Sequence, residues 1–342
     1  MRAILHAVCA ALLGAVLVAA PALAQDHSRL YTPAELKADA KRLETAVRKI
    51  FELGLAPALT AEEKRRIGAV DFVFPAPEGD DYALDFYAYR ENGRSIVAMP
   101  LLSLKALEDL TTAYAWIYSE QYSLSTIDLY FAMLQHRPQE AFPGGAYPAP
   151  LPALGVPADA YEHAPVDQLS LSLRNEAFAF VIIHELAHLF YAHKPYFEIS
   201  AEEARRGETE ADAFALDVLG RTGTPPLGPV LMFQAQAYSL PNRGQFADEK
   251  EWIDFLGKRS NHPLTTDRLR AMSAYIGGAL AQKRPNEREI WAYIGGQLGE
   301  IAGILEDVEL QACIAKLAKE ADLSVLKPRS AVAGDAIAAA CG

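Results

Sequence analysis

The stretch Phe178–His193 reads FAFVIIHELAHLFYAH, and inside it His184 and His188 stand four residues apart with Glu185 next to the first. On an α-helix that spacing puts both imidazoles on one face, one turn apart, where they can grip a single cation. Glu185 can then lean over the open side of the cation instead of binding it. Imidazole nitrogen suits zinc, and a site with three protein ligands leaves a fourth position for water. A carboxylate placed as Glu185 is would take a proton from that water as it attacks a carbonyl.

The surroundings sharpen this reading. Residues 177–183 (AFAFVII) and 189–192 (LFYA) are apolar all round, which predicts a buried helix. Two imidazoles and a carboxylate are costly there unless something satisfies them. The competing reading is a helix whose core histidines simply bond to neighbours. A third ligand has to come from elsewhere, and GETEADAFAL at 207–216 offers one. Glu208 lies twenty residues beyond His188, room for a turn and a second helix running back. Glu208 and Asp212 share a helical face continued by Ala215 and Leu219, and Ala211 and Ala215 are small enough to let two helices approach closely. Glu208 is therefore the expected third ligand, and Asp212 the expected acceptor for the free N–H of a ligand imidazole. The alternative is a solvated acidic helix start, which Glu202, Glu203, Glu208 and Glu210 would also suit. His193 follows His188 by five residues. The metzincin pattern needs Gly three and His six residues on, where Tyr191 and Lys194 stand, so His193 reads as a helix-end residue facing the C-terminal dipole.

With H-E-L-A-H at 184–188 and E-T-E-A-D-A-F-A at 208–215, the chain resembles the gluzincin metallopeptidases, in particular the HtpX-like and CAAX-prenyl-protease group; the phage-exclusion-protein (Lit-like) peptidases share similar motifs. A further segment, Asn261 to Arg268 (NHPLTTDR), resembles the H-P-P-x-x-x-R stretch those families carry, with Leu264 in place of the second Pro. The resemblance implies an α+β, predominantly helical, zincin-like fold with a small antiparallel sheet over the metal helix. It implies zinc endopeptidase activity with one Zn2+ per chain on His184, His188 and Glu208, and Glu185 as base. In the resembled group the last segment returns towards the zinc helices, so His262, with Arg268, is expected to help stabilise the charge that builds on the scissile carbonyl oxygen. The competing reading makes this segment a capping turn at Thr265 in which Arg268 pairs with an acidic neighbour.

Residues 1–24 read as a secretory signal peptide, with Arg2, an apolar run over 4–20 and an A-x-A site at Ala22-Leu23-Ala24; a retained anchor is the alternative. No later stretch reaches the roughly 18 consecutive apolar residues of a membrane helix. The 342 residues carry a net charge of −12 and no basic run, which disfavours nucleic acid, and the resemblance implies a protein or peptide as the partner. Residues 25–283 are expected to form the metallopeptidase domain and 284–342 a helical C-terminal extension. Thr32-Pro33-Ala34-Glu35 and Thr60-Ala61-Glu62-Glu63 predict helix starts. Val70–Phe74, Tyr82–Arg90 and Ser95–Met99 predict strands, with Asn92-Gly93 as a hairpin turn whose edge can pair with an extended substrate. Ser103 is expected to cap a long helix, the Pro-rich 138–166 to form a lid or specificity loop, and helices to fill 287–297 and 299–321. Cys313 and Cys341, the two cysteines left beyond the leader, invite a disulfide in an oxidising compartment, with free thiols as the alternative. Beside the exported, periplasmic or secreted zinc peptidase stands one other class, a non-catalytic zinc-stabilised binding or chaperone-like protein, which would have no use for Glu185.

Overall fold

The structure, a computed structural model, describes residues 26–79, 81–195, 198–239, 246, 248, 250–252, 264–328 and 336–341. The leader expected at 1–24 and the catalytic role expected of His262 lie outside the described residues. Thr32 opens α1 (Pro33–Lys49) with a capping box: its hydroxyl accepts from the Glu35 N–H, and the Glu35 carboxylate accepts from the Thr32 N–H. Thr60 and Glu63 repeat the device at α2 (Ala61–Ile67). Three strands follow, β1 (Val70–Val73), β2 (Tyr87–Glu91) and β3 (Arg94–Ala98). Asn92 and Gly93 take φ of 49° and 76°, the double positive that a tight hairpin turn needs.

The sheet is mixed, which corrects the antiparallel sheet expected. β3 is central, antiparallel to β2 (Tyr89 opposite Ile96) and parallel to β1 (Phe72 opposite Val97). Residues 74–86 carry the chain past the central position to the far edge, and the hairpin then returns β3 alongside β1 in the same direction. The strand expected from Tyr82 starts only at Tyr87. Ser103 is not a cap: it lies inside α3 (Leu101–Ser119) and donates its hydroxyl to the Asp85 carbonyl, fixing the loop before β2.

After α4 (Ser125–His136) the Pro-rich stretch is anchored by buried Phe142, Tyr147, Leu154 and Ala160. It joins α5 (Ala164–Tyr191) at His163, about 30 Å of helix rise before His184. That places the junction away from the HELAH turn along the helix axis. α5 is the central rod: every residue from Ala177 to Ala187 is buried. Around it pack α3, α6 (Ala201–Thr222) and α7 (Leu227–Ser239). α8 (Thr266–Ala274) lies against α6 and continues through a wide turn to Leu280. α9 (Arg288–Glu306) and α10 (Val308–Glu320) break at Asp307, whose carboxylate caps α10 by accepting from the Leu310 N–H; the break expected near residue 298 does not occur. Gly295 explains why that stretch stays helical, since a Cβ there would lie 2.8 Å from the Ser273 carbonyl oxygen and only a glycine lets α9 approach so closely. Trp291, Ile294 and Leu298 of α9 and Ile314 of α10 belong to the same hydrophobic cluster as α5. Cys313 is bonded to Cys341 in α11 (Ala336–Cys341). Among the described residues no helix is long and apolar enough to cross a membrane.

Two outcomes follow from this packing. At the α5–α7 crossing a Cβ on Gly228 would sit 2.2 Å from the Leu173 carbonyl oxygen, so Gly228→Ala must push two backbones apart. It is expected to destabilise the fold by roughly 1–3 kcal/mol in denaturant unfolding, and an unchanged midpoint would contradict the close crossing. Cys313→Ser should lose about 3 kcal/mol, the usual value for closing a loop of this length. Two alkylatable thiols in unreduced, denatured protein would show that the pair does not form.

Candidate metal centre

His184 and His188 sit one turn apart on the buried face of α5, and α6 runs back across it as the Ala-rich face at Ala211 and Ala215 allows, both fully buried. The crossing brings Glu208 between the two imidazoles. His184 Nε2 and His188 Nε2 are 3.2 Å apart, and the Glu208 carboxylate oxygens lie 3.4 Å from the first and 3.3 Å from the second. These three side chains form a group that could hold a metal ion. Glu185, the next residue along α5, is buried beside them, and its charge acts on His188.

Around this triangle each polar atom has a partner of its own. His184 Nδ1 lies 3.0 Å from Asp212 Oδ1. Arg268 crosses from α8 to α6: Nε and Nη2 donate to the two Asp212 oxygens, the second at 2.8 Å, while Nη1 is 2.8 Å from Glu208 Oε2. His188 Nδ1 is 2.9 Å from His193 Nδ1, and His193 Nε2 is 3.0 Å from Glu210 Oε2. His193 therefore does not merely face the helix dipole, as expected; its ring is turned back against that of His188.

The electrostatics follow from burial. Burial opposes charging His184, yet Asp212 and Glu208 outweigh it and raise its pKa above the ordinary imidazole value. At His188 burial prevails over Glu208 and lowers it, which keeps the ring neutral and able to bind a cation. Burial alone would raise the Asp212 carboxyl, but Arg268 and then His184 hold it below the usual range. Glu185, Glu208, Asp212 and Arg268 are 2%, 0%, 1% and 3% exposed. Isolated buried charge is expensive, so carboxylates at this depth need cationic or hydrogen-bonding partners.

Of the residues singled out in the sequence, His184, Glu185, His188, Glu208 and Asp212 come together. Arg268 arrives by a different route from the one expected: Thr265 does cap α8, accepting from the Arg268 N–H at 3.3 Å, and the guanidinium pairs with the acids of the site itself. Its donors are turned onto Asp212 and Glu208, so it positions these carboxylates. That use was missed because the partners are 56 residues apart, where no spacing rule links them. Comparison with protein-family models, curated proteins and solved structures finds nothing that matches this chain.

Removing the guanidinium leaves Glu208 and Asp212 buried without a counter-charge. Arg268→Met is expected to destabilise the metal-free protein by about 3–5 kcal/mol in chemical unfolding with chelator present. Arg268→Lys should recover only part of this, because a single ammonium cannot match the fork on Asp212. A Met variant as stable as the parent would sink the assignment.

Proposed function

We propose that this chain is an exported zinc-dependent peptidase in which His184, His188 and Glu208 hold one zinc ion and Glu185 is the general base. The observation that carries the reading is the convergence of these three side chains, whose ligand atoms lie within 4.8 Å of one another. The two Nε2 atoms are 3.2 Å apart, close to the donor spacing of about 3.3–3.4 Å in a tetrahedral zinc site, with Glu208 Oε2 3.4 Å from His184 and Oε1 3.3 Å from His188. Two imidazoles and one carboxylate also form the donor set of a catalytic zinc, with a position left for water. The Cys313–Cys341 bond fits export to an oxidising compartment.

When bound, zinc lowers the pKa of a water molecule to about 7 and polarises a carbonyl oxygen. The chain's own groups do the rest. Glu185 takes the proton from the attacking water and returns it to the departing amine nitrogen. Asp212, held by Arg268, accepts from His184 Nδ1 and keeps Nε2 free as a ligand atom. β2 offers an extended substrate its outer edge, since β3 is its one strand partner in the described sheet. It is tied to the metal helix by Arg90, whose Nη2 lies 3.3 Å from the Leu189 carbonyl. The non-catalytic reading draws on one feature, the depth at which Glu185 is buried, but a structural zinc usually has four protein ligands and no base.

The test is a set of five variants assayed for metal content and for hydrolysis of an unfolded protein. The parent should carry one zinc. His184→Ala, His188→Ala and Glu208→Ala should each lose most of it. Glu185→Gln should keep the metal and lose turnover. Asp212→Asn should weaken zinc about 10- to 100-fold. Stoichiometric zinc in Glu208→Ala would break the ligand set. A zinc-loaded parent that melts on chelation but cleaves nothing would favour the structural reading.

A further inference from the structure

We propose that His193 and Glu210 form a positioning pair for His188, doing for the second imidazole what Asp212 does for the first. This rests on the metal reading of the same site and adds two residues to it. The direction of each hydrogen bond follows from where a cation would sit. A cation on His188 Nε2 leaves the ring's proton on Nδ1, so His188 donates across the 2.9 Å gap and His193 Nδ1 accepts. With Nδ1 accepting, the neutral His193 ring carries its own proton on Nε2, which donates to Glu210 Oε2 at 3.0 Å. The chain ends on a carboxylate, the strongest acceptor available, and every donor meets an acceptor.

The local structure is arranged to return this ring. α5 ends at Ala192 in the left-handed region, φ 56°, a conformation that costs a residue with a Cβ. That turn swings His193 back so that its N–H reaches the His188 carbonyl at 2.9 Å, beneath the residue its side chain serves. The ring is then held on two sides. Tyr191 stacks on it, with ring centres 5.5 Å apart and planes 15° off parallel. From α6, Gly207 leaves the space: a Cβ there would lie 3.3 Å from His193 Nδ1, tighter than a side chain normally tolerates. Helix α6 thus supplies the ligand Glu208 and a carboxylate behind each imidazole, Asp212 directly and Glu210 through His193. The two arms differ in exposure. Asp212 is buried and clamped by Arg268, whereas the Glu210 side chain is 44% exposed, so the His188 arm is the more adjustable one.

The pair is tested on the full-length protein by zinc affinity, measured by chelator competition, and by the visible absorption of the cobalt(II)-substituted form. His193→Phe keeps the ring shape and removes the acceptor. It should weaken zinc about 10- to 100-fold and shift the cobalt bands, because the His188 ring loses its fixed orientation. His193→Asn puts an amide oxygen near the Nδ1 position and should restore most of the affinity and the parent spectrum. Should His193→Phe not fold, Glu210→Gln at the surface should weaken zinc several-fold and move the cobalt bands the same way; unchanged values there overturn the pair. A His193→Asn variant as weak as His193→Phe would mean that an acceptor restored at this position does not hold His188, which also overturns it. A parent that takes up no zinc ends the metal reading and this one with it, whereas a tight-binding parent beside an equally tight His193→Phe ends this one alone.

Discussion

The site depends on one clamp, the guanidinium of Arg268 spread across Asp212 and Glu208. A crossing as buried as that of α5 and α6 would not keep two carboxylates without a buried cation, since the penalty for stranding such charges is several kcal/mol each. Arg268 supplies the charge and also the geometry, because its planar fork fixes both Asp212 oxygens and leaves Nη1 for Glu208. Through Asp212 the clamp reaches His184, and through Glu208 it sets the third corner of the donor triangle.

Close approach is the second condition, and small residues meet it where side chains would not fit. Ala211 and Ala215 let α6 lie against α5, and Gly207 admits the His193 ring at the same interface. Gly228 does the equivalent nearer the start of α5, where α7 passes almost in contact with the Leu173 carbonyl. α5 is therefore met at two levels by helices whose contact residues carry little or no side chain. Its imidazoles gain fixed orientations from that grip, as a preorganised site requires.

How much of this could be read beforehand depends on whether the relevant relation is local. HELAH and the Glu208–Asp212 pair are i, i+4 relations on single helices, and the capping boxes at Thr32 and Thr60 span three residues, so the sequence shows them directly. The Asn92-Gly93 turn is equally local. The parallel pairing of β1 with β3 is not, because it depends on where residues 74–86 deliver the chain, and the alternation of strand residues does not encode the neighbour. Arg268 was visible as a residue, but its choice of Asp212 rests on how α8 docks against α6. His193 was misread for a subtler reason. The turn that brings it back occurs at Ala192, and an alanine in the left-handed region gives no warning of the kind a glycine would. The break at Asp307 was misplaced because Gly295, ordinarily helix-weakening, serves here as a contact point for the backbone of Ser273 and Gly277.

The precision of the donor triangle also requires that α5 not slide along its own axis, and the structure provides for this at both ends. Fifteen ångströms of helix rise before His184, Arg174 reaches Glu108 of α3 at 2.8 Å, and Glu108 is held in turn by Arg42 of α1. Burial would raise the Glu108 carboxyl, but the two guanidinium groups outweigh it and hold it below its usual range, so this carboxylate stays charged and the link persists. At the other end Arg90 of β2 donates to the Leu189 carbonyl, and Arg66 of α2 lies over the Phe190 ring at 4.1 Å. Apolar contacts alone resist axial slippage poorly, because one leucine-sized contact resembles the next. Directional bonds at the two ends choose one register, and a shift of one residue would break all of them. The ion pairs far from the site thus act on it through the rigid rod between them, which makes Glu108 and Arg90 part of how this sequence sets two imidazoles against Glu208, 3.4 and 3.3 Å from its oxygens.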